Sequence, residues 1–350
     1  MYVVRPVERA DIGALEAMAA ISMPGVHTLP RTREGIVAAV ERSLASFAAQ
    51  VDIPSEESYL FVLEDLHRRE VVGTAIIHAS AGSNGTYFAF RNDVVQQVSR
   101  DLNISHSVHA LTLCSELTAY SQLSGFFLRH RDQAGIEAAL LSRARLLYAM
   151  LAPHRFGDRF FVPLAGRLDA HGQSPFWNAL GRKFFRMDFL EAERLIEGAR
   201  NRTLIVELMP HYPVYVPLLP GDAQAALGQI HPGGQMAFDL LAQEGFEADE
   251  YIDIFDGGPI LQAHKHALRS FCASHRVRVA AAGAEASHDG APVDYAVASA
   301  GAAFRAVTVR SAPIEHAATI ALPRDVQQAL GVAAGDEVVC VRIQGETACS

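Results

Sequence analysis

The sequence predicts an α/β (α+β) fold, a mixed sheet flanked by helices with a small C-terminal β-rich extension. Three observations predict it. From Tyr2 to Leu208, β-rich runs alternate with amphipathic segments, an order that places helices on the faces of a mixed sheet. Half of the 350 residues are hydrophobic, enough to bury a large core in one big domain or two smaller ones. Past residue 278 the composition turns to Ala, Gly and Ser, with a second organised stretch only near the end.

Element by element, Tyr2-Val3-Val4-Arg5-Pro6 reads as a strand. Asp11 then precedes Ile12, Leu15, Met18 and Ala19 at helical spacing, as an N-cap would. Ile36 to Phe47 reads as a second helix. Tyr59 to Leu63 and Val71 to Ile77 are β-rich, and the polar link Glu64 to Glu70 joins them as a hairpin. Ala110 to Cys114 and Gly125 to Leu128 supply further strands. Gly135 to Leu151 carries a long apolar helical pattern, and Arg159 to Pro163 returns as a strand. Phe176 to Phe185 reads as a helix and Thr203 to Leu208 as a strand, whereas Ala280 to Ala300 reads as loop or weak hairpin. Pro323 starts a helix that Gly331 ends, and Gly335-Asp336 turns into the strand Val338 to Ile343. The expected division is a main domain over residues 1–278 and an accessory module over 279–350, with no internal repeat.

Charge and cysteines narrow the function. The formal net charge of −9 argues against a nucleic-acid surface, which needs a clustered positive footprint, and suits a cationic small substrate. Cys114, Cys272, Cys340 and Cys349 are scattered without CxxC spacing, which suits a reducing compartment and no metal or redox service. The start leads straight into a strand pattern, and no apolar run reaches the roughly 20 residues of a spanning helix. A soluble, cytoplasmic protein without membrane contact is expected.

Several blocks are more particular than pattern. Ser174-Pro175-Phe176-Trp177-Asn178-Ala179-Leu180-Gly181-Arg182, followed by Phe184-Phe185, is one. Others are Glu207-Leu208-Met209-Pro210-His211-Tyr212-Pro213, Gly228-Gln229-Ile230-His231-Pro232, Glu244-Gly245-Phe246 and Tyr251-Ile252-Asp253-Ile254-Phe255-Asp256-Gly257-Gly258-Pro259. Arg5-Pro6, Leu29-Pro30 and Val62-Leu63-Glu64-Asp65 precede them. In series these blocks resemble the arginine N-succinyltransferase family, over about residues 1–265 and most densely over 174–259. Phe90-Arg91-Asn92, Leu113-Cys114 and the run His211 to Pro220 are most similar to its alpha chains.

The resemblance implies an acyl-CoA N-acyltransferase (GNAT)-like fold. It implies transfer of succinyl from succinyl-CoA to the α-amine of L-arginine, or of L-ornithine in paired enzymes, opening ammonia-producing arginine degradation. Succinyl-CoA would be a co-substrate, with no tightly bound cofactor. The partner would be a homologous beta subunit or a second copy of the chain. Such chemistry must deprotonate an α-ammonium, polarise a carbonyl and handle a leaving thiolate. No G-x-S-x-G elbow offers a covalent route.

Within the resemblance, His231 falls on the proton-transfer histidine, although read from the residues alone it is a loop histidine pinned by Pro232. Leu128 falls where the family binds succinyl-CoA at a strand end. Gly135, Ile136 and Ala138 would open the phosphate-binding helix, and Arg129 or Arg131 could meet the phosphate. Asp132 and Glu137 have the wrong sign for that task, and Ala138 replaces the family's second glycine. An ordinary helix start is the alternative. Arg182 could bind the succinyl carboxylate or form a surface ion pair. Glu207 and Asp253 could meet the substrate cation, while Asp256 is expected to cap the Gly257-Gly258 turn. Trp177 and Phe176 are expected in the core on one helix face with Phe184 and Phe185. His264-Lys265-His266, Cys272 and His275 fit no familiar zinc spacing and read as surface groups. Two rivals stay open: a non-catalytic subunit of a hetero-oligomeric succinyltransferase, and an N-acyltransferase with another acyl donor or amine.

Overall fold

In the computed structural model, which describes residues 1–21, 29–83, 85–130, 134–196, 207–281, 291–301 and 303–344, the first three strands lie side by side. They are β1 (Tyr2–Pro6), β2 (Ser58–Asp65) and β3 (Glu70–His78), and β2 pairs antiparallel with both others. β2 is buried at nearly every position because both faces are covered. Its odd residues Tyr59, Phe61 and Leu63 join one core cluster under α3 (Ile136–Leu151). Its even residues Leu60 and Val62 join another under α1 (Ile12–Ala20) and α2 (Arg33–Ala48). This is the period-two alternation of a strand serving two layers.

Fifteen strands share one hydrogen-bonded order among the described residues. The central run continues from β3 to β6 (Ser121–Leu128), β7 (Arg159–Pro163), β10 (Pro259–His264) and β9 (Glu247–Ile252). It ends in the long hairpin of β4 (Ala89–Ser99) and β5 (Ile104–Cys114), edged by β8 (Val214–Tyr215). On the other side of β1 come β13 (Ala306–Ser311), β12 (Val293–Ser299), β15 (Glu337–Arg342), β11 (His275–Val279) and β14 (Thr319–Ile320). Among the described strands, only β6 with β7 and β11 with β14 pair parallel, so the sheet is mixed. Among the described residues, no helix is long and apolar enough to cross a membrane.

The structure departs from the sequence expectations at several points. The stretch expected as loop or weak hairpin contains β12, whose Tyr295, Ala296, Val297 and Ala298 are fully buried. Its small residues are an adaptation: Ala296 and Ala298, with Ala306 of the neighbouring β13, pack in the cluster under α3, where bulkier side chains would hold the helix away. β11 spans the boundary expected after residue 278 and pairs with β14 and β15.

The helix expected over Phe176–Phe185 is two pieces, α4 (Pro175–Ala179) and α5 (Gly181–Phe185), broken at Leu180. Trp177 and Phe176 are fully buried, and Trp177 lies 5.3 Å from Phe185, but Phe184 is exposed because the break turns it away. A Cβ on Gly181 would lie 2.3 Å from the Trp177 ring, so the second piece starts with the one residue that fits. α6 (Phe189–Ile196) follows. Of the strand expected over Thr203–Leu208, residues 203–206 lie outside the described residues, and Glu207 and Leu208 are helical and exposed. Cys114 and Cys340 are free thiols.

Candidate functional site

β6 and β7 begin together and then part. They pair only at Ser121 with Phe160 and Gln122 with Phe161, so the β6 edge from Leu123 to Leu128 turns away from β7. A bulge drives the divergence. Between Ile76–Ser124 and Thr74–Phe127 the register slips by one residue, and Gly125 takes φ +60°, a left-handed conformation that suits glycine.

Two side chains satisfy the carbonyls of this bulge. Thr74 Oγ1 donates to Gly125 O at 2.9 Å, and Arg145 Nη1 donates to Ser124 O at 3.2 Å. Arg145 is only 1 % exposed, and its guanidinium lies 5.6 Å from the Phe126 ring centroid. It also donates to Ser142 O and Ser142 Oγ on its own helix. Burial pushes its pKa down to about 9. On the face served by α1 and α2, His78 Nε2 lies 3.0 Å from Ser124 Oγ.

At the far end of the split the chain is knitted in three plies. The segment after β7 receives the turn between β9 and β10: Gly166 N–H donates to Asp256 Oδ2 at 2.7 Å, and Gly258 N–H donates to Asp256 Oδ1 at 2.8 Å. The third ply is residues 228–231, where Gly228 N–H donates to Gly257 O, Arg167 N–H to Gln229 O, and His231 N–H to Ala165 O at 2.8 Å. Glycine is required here because a Cβ on Gly166 would lie 2.6 Å from Asp256 O, and one on Gly258 2.3 Å from Leu164 O. The buried Asp256 thus caps the Gly257-Gly258 turn and also holds the neighbouring ply.

His231 is consequently tied to Ala165, two residues beyond the C-terminal end of β7, the strand from which β6 parts. It caps the short turn Pro232–Gly234: its Nδ1 accepts Gly233 N–H at 3.0 Å. The neutral ring therefore carries its proton on Nε2. α8 (Gln235–Glu244) begins immediately afterwards, and α7 (Gly221–Ala226) precedes this ply.

The other sequence-expected residues fall as follows. Leu128 is buried at the end of β6 against Gly73 of β3. Gly135 is the N-cap of α3, Ile136 its first residue, and Ala138 is buried in its first turn. Glu137 Oε1 accepts Gly135 N–H at 3.0 Å. Arg129 follows β6 and Arg131 and Asp132 lie outside the described residues. Leu128, Gly135, Ile136 and Ala138 thus share one strand–loop–helix with the split. Arg182 and Glu207 are exposed, on α5 and in a helical turn respectively. Asp253 is buried, and its Oδ1 accepts Phe255 N–H at 2.8 Å within the turn. His264 and His266 form a surface ring pair, and no cluster of metal-binding residues occurs among the described residues.

No motif or spacing in the sequence marks His78, Ser124 or Arg145. A glycine inside a strand pattern, Gly125, was the available signal, since it marks a bulge. An α/β protein whose mixed sheet parts between two parallel strands is the class this arrangement defines.

The chain matches the family described as "Arginine N-succinyltransferase beta subunit" over residues 2–270 and its C-terminal domain over residues 275–342. It is 44 % identical over 344 residues to "Arginine N-succinyltransferase subunit alpha" of Pseudomonas aeruginosa, covering 98 % of this chain and 100 % of that one. It is 34 % identical over 350 residues to "Arginine N-succinyltransferase" of Salmonella paratyphi B, with 99 % of each covered. A solved structure, arginine/ornithine succinyltransferase subunit AI from Pseudomonas aeruginosa, superimposes with a TM-score of 0.87 at 40 % identity over 99 % of both chains. The chain belongs to the arginine N-succinyltransferase family. The family description says beta, whereas the Pseudomonas aeruginosa relative is named alpha.

Proposed function

We propose that the chain transfers the succinyl group of succinyl-CoA to the α-amine of L-arginine or L-ornithine by direct attack of the amine on the thioester. The observation that carries this reading is the parting of β6 from β7 after Gln122, with His231 tied to the strand just beyond β7. The same feature supports an acyl-CoA N-acyltransferase (GNAT)-like fold, in which the pantetheine arm replaces the missing strand partner. Leu128, Gly135, Ile136 and Ala138 are assigned to the coenzyme, the arm lying along β6 and the pyrophosphate at the first N–H groups of α3. Glu137 turns aside from Gly135 N–H when phosphate enters.

Holding amine and thioester together supplies most of the rate, with no covalent enzyme intermediate. His231 presents an Nε2–H donor to the negative charge that develops on the carbonyl oxygen and the departing sulfur. Arg182 is assigned to the succinyl carboxylate, and Glu207 and Asp253 to the cationic side chain, the buried Asp253 meeting it from within its own turn. No tightly bound cofactor is required. The strands from residue 279 onward act as an accessory module continuous with the sheet. The chain works in the cytoplasm, as an oligomer with a homologous beta subunit or with itself.

The test is thiol release from succinyl-CoA with arginine, by the chain alone and mixed with a beta chain. Release that requires the amine supports the reading. Release only in the mixture supports the non-catalytic subunit instead. A preference for acetyl-CoA, or no amine-dependent release at all, overturns the succinyl assignment.

A further inference from the structure

An α-ammonium must lose a proton before it can attack, and the geometry of His231 does not supply the acceptor. Its Nδ1 accepts Gly233 N–H, so the neutral ring offers a proton at Nε2 in place of a lone pair. A proton acceptor must therefore come from another residue. The vertex of the β6–β7 split holds one candidate pair. His78 pairs with Gln122, the last β6 residue bonded to β7, and Ser124 lies two residues beyond, where the strands have parted. His78 Nε2 and Ser124 Oγ lie 3.0 Å apart, and both residues are half-buried.

Ser124 also lies at the right depth. From Leu128 back to Ser124 is four residues, roughly 13 Å of extended strand. Resting on the function proposed above, a pantetheine arm that enters past Leu128 and runs along β6 brings its thioester to Ser124. The backbone around Ser124 is held firmly, since Arg145 and Thr74 grip the Ser124 and Gly125 carbonyls. The hydroxyl of Ser124 is directed to the α1/α2 face, where it meets His78, opposite the face on which α3 packs.

From this arrangement we infer that Ser124 and His78 form the proton relay that activates the α-amine. Ser124 Oγ accepts a proton from the α-ammonium while passing its own to His78 Nε2, which releases it to solvent. The freed nitrogen lone pair forms the N–C bond, and the C–S bond breaks with its electron pair on sulfur. The second proton, lost from the newly bonded nitrogen, ends on the coenzyme sulfur. His78 is the terminal acceptor and Ser124 the group that touches the amine.

The test compares His78→Gln and Ser124→Ala with wild type, using L-arginine and L-arginine methyl ester as acceptors. The ester's α-ammonium is the stronger acid and is deprotonated in water without help. Gln keeps a hydrogen bond to Ser124, and Ser124→Ala is a minimal change, so a folding defect in one variant leaves the other. With arginine, each variant should lose about 10²–10⁴-fold in kcat while the KM for succinyl-CoA stays within twofold. With the ester, the loss should shrink at least tenfold. A variant that keeps pace with wild type on arginine, or loses equally on both acceptors, overturns the relay. Absence of amine-dependent thiol release by wild type would instead strike the proposed function.

Discussion

His231 Nδ1 accepts the backbone N–H of Gly233 at 3.0 Å, and this one contact fixes which ring nitrogen carries the proton. The same residue's own N–H is bound to Ala165 O, so ring and backbone are held from both ends of a three-residue turn. In the reaction proposed above, a histidine so placed would donate a hydrogen bond from Nε2, a role that can be separated from full proton transfer.

His231→Ala should lower kcat by roughly 10²–10³-fold, the usual loss for one donor aimed at developing charge. His231→Gln places an amide N–H near the former Nε2 and should recover at least tenfold of that loss. Steady-state kinetics on both variants checks it. Equal losses in Ala and Gln would mean that the ring moves a proton, and an unchanged rate in folded His231→Ala would remove it from the mechanism.

Asp256 links the same region to stability. Its two carboxylate oxygens accept Gly166 N–H and Gly258 N–H, both in the buried knit that carries His231. Asp256→Asn keeps the size but offers one acceptor oxygen, so one buried N–H faces an NH₂ group. The cost should be about 1–3 kcal/mol in urea unfolding. Because the Gly228–His231 ply hangs on this turn, kcat should fall as well, under conditions where the variant is fully folded. Loss of stability with kcat unchanged would show that the His231 position does not depend on the turn.

Much of this site could be read in the sequence, and the unread part has physical causes. Asp256 beside two glycines announced its cap, because Asx turns are local. The chemistry at Ser124 and His78 was hidden, because their meeting depends on cross-strand register, which a one-residue bulge changes. β4 was missed because Arg91-Asn92-Asp93 and Gln96-Gln97 lack the apolar alternation of a half-buried strand; most of its outer half is exposed. β12 was missed for the opposite reason, since its alanines look weak until a helix is packed on them. α3 was legible because it is apolar nearly all round, yet nothing in its spacing told that Arg143 and Arg145 would be buried.

Arg143 and Glu244 form a buried ion pair at 2.9 Å that ties four parts of the chain together. Arg143 also donates to the carbonyls of Arg342 and Ile343, and Glu244 Oε1 accepts Ser270 N–H. Glu244→Ala should therefore cost about 3–5 kcal/mol, because it leaves a buried guanidinium uncompensated. The double variant Arg143→Met/Glu244→Leu should regain most of that loss. Urea unfolding of the three proteins decides it; a single variant costing under 1 kcal/mol would mean that water reaches the pair.

Acid should unfold the C-terminal strands through Glu315. Burial pushes its carboxyl up, but hydrogen bonds from Arg342 Nε, its own backbone and Tyr295 Oη outweigh that and hold it at about 2. The folded value is thus below the ordinary one, so the unfolded chain binds a proton at a higher pH than the folded chain does. The stabilisation is fully present above about pH 4.5 and fades as pH falls toward 2. Arg342 stays charged throughout, its guanidinium raised first by the bond to Glu315. Since the carboxylate is partly exposed, about 1–2 kcal/mol is expected at pH 7, less than the full shift would give. Glu315→Gln should show that deficit in urea unfolding at pH 7 and close on wild type near pH 2. A deficit of the same size at both pH values would mean that the side chain acts through packing and not through its charge.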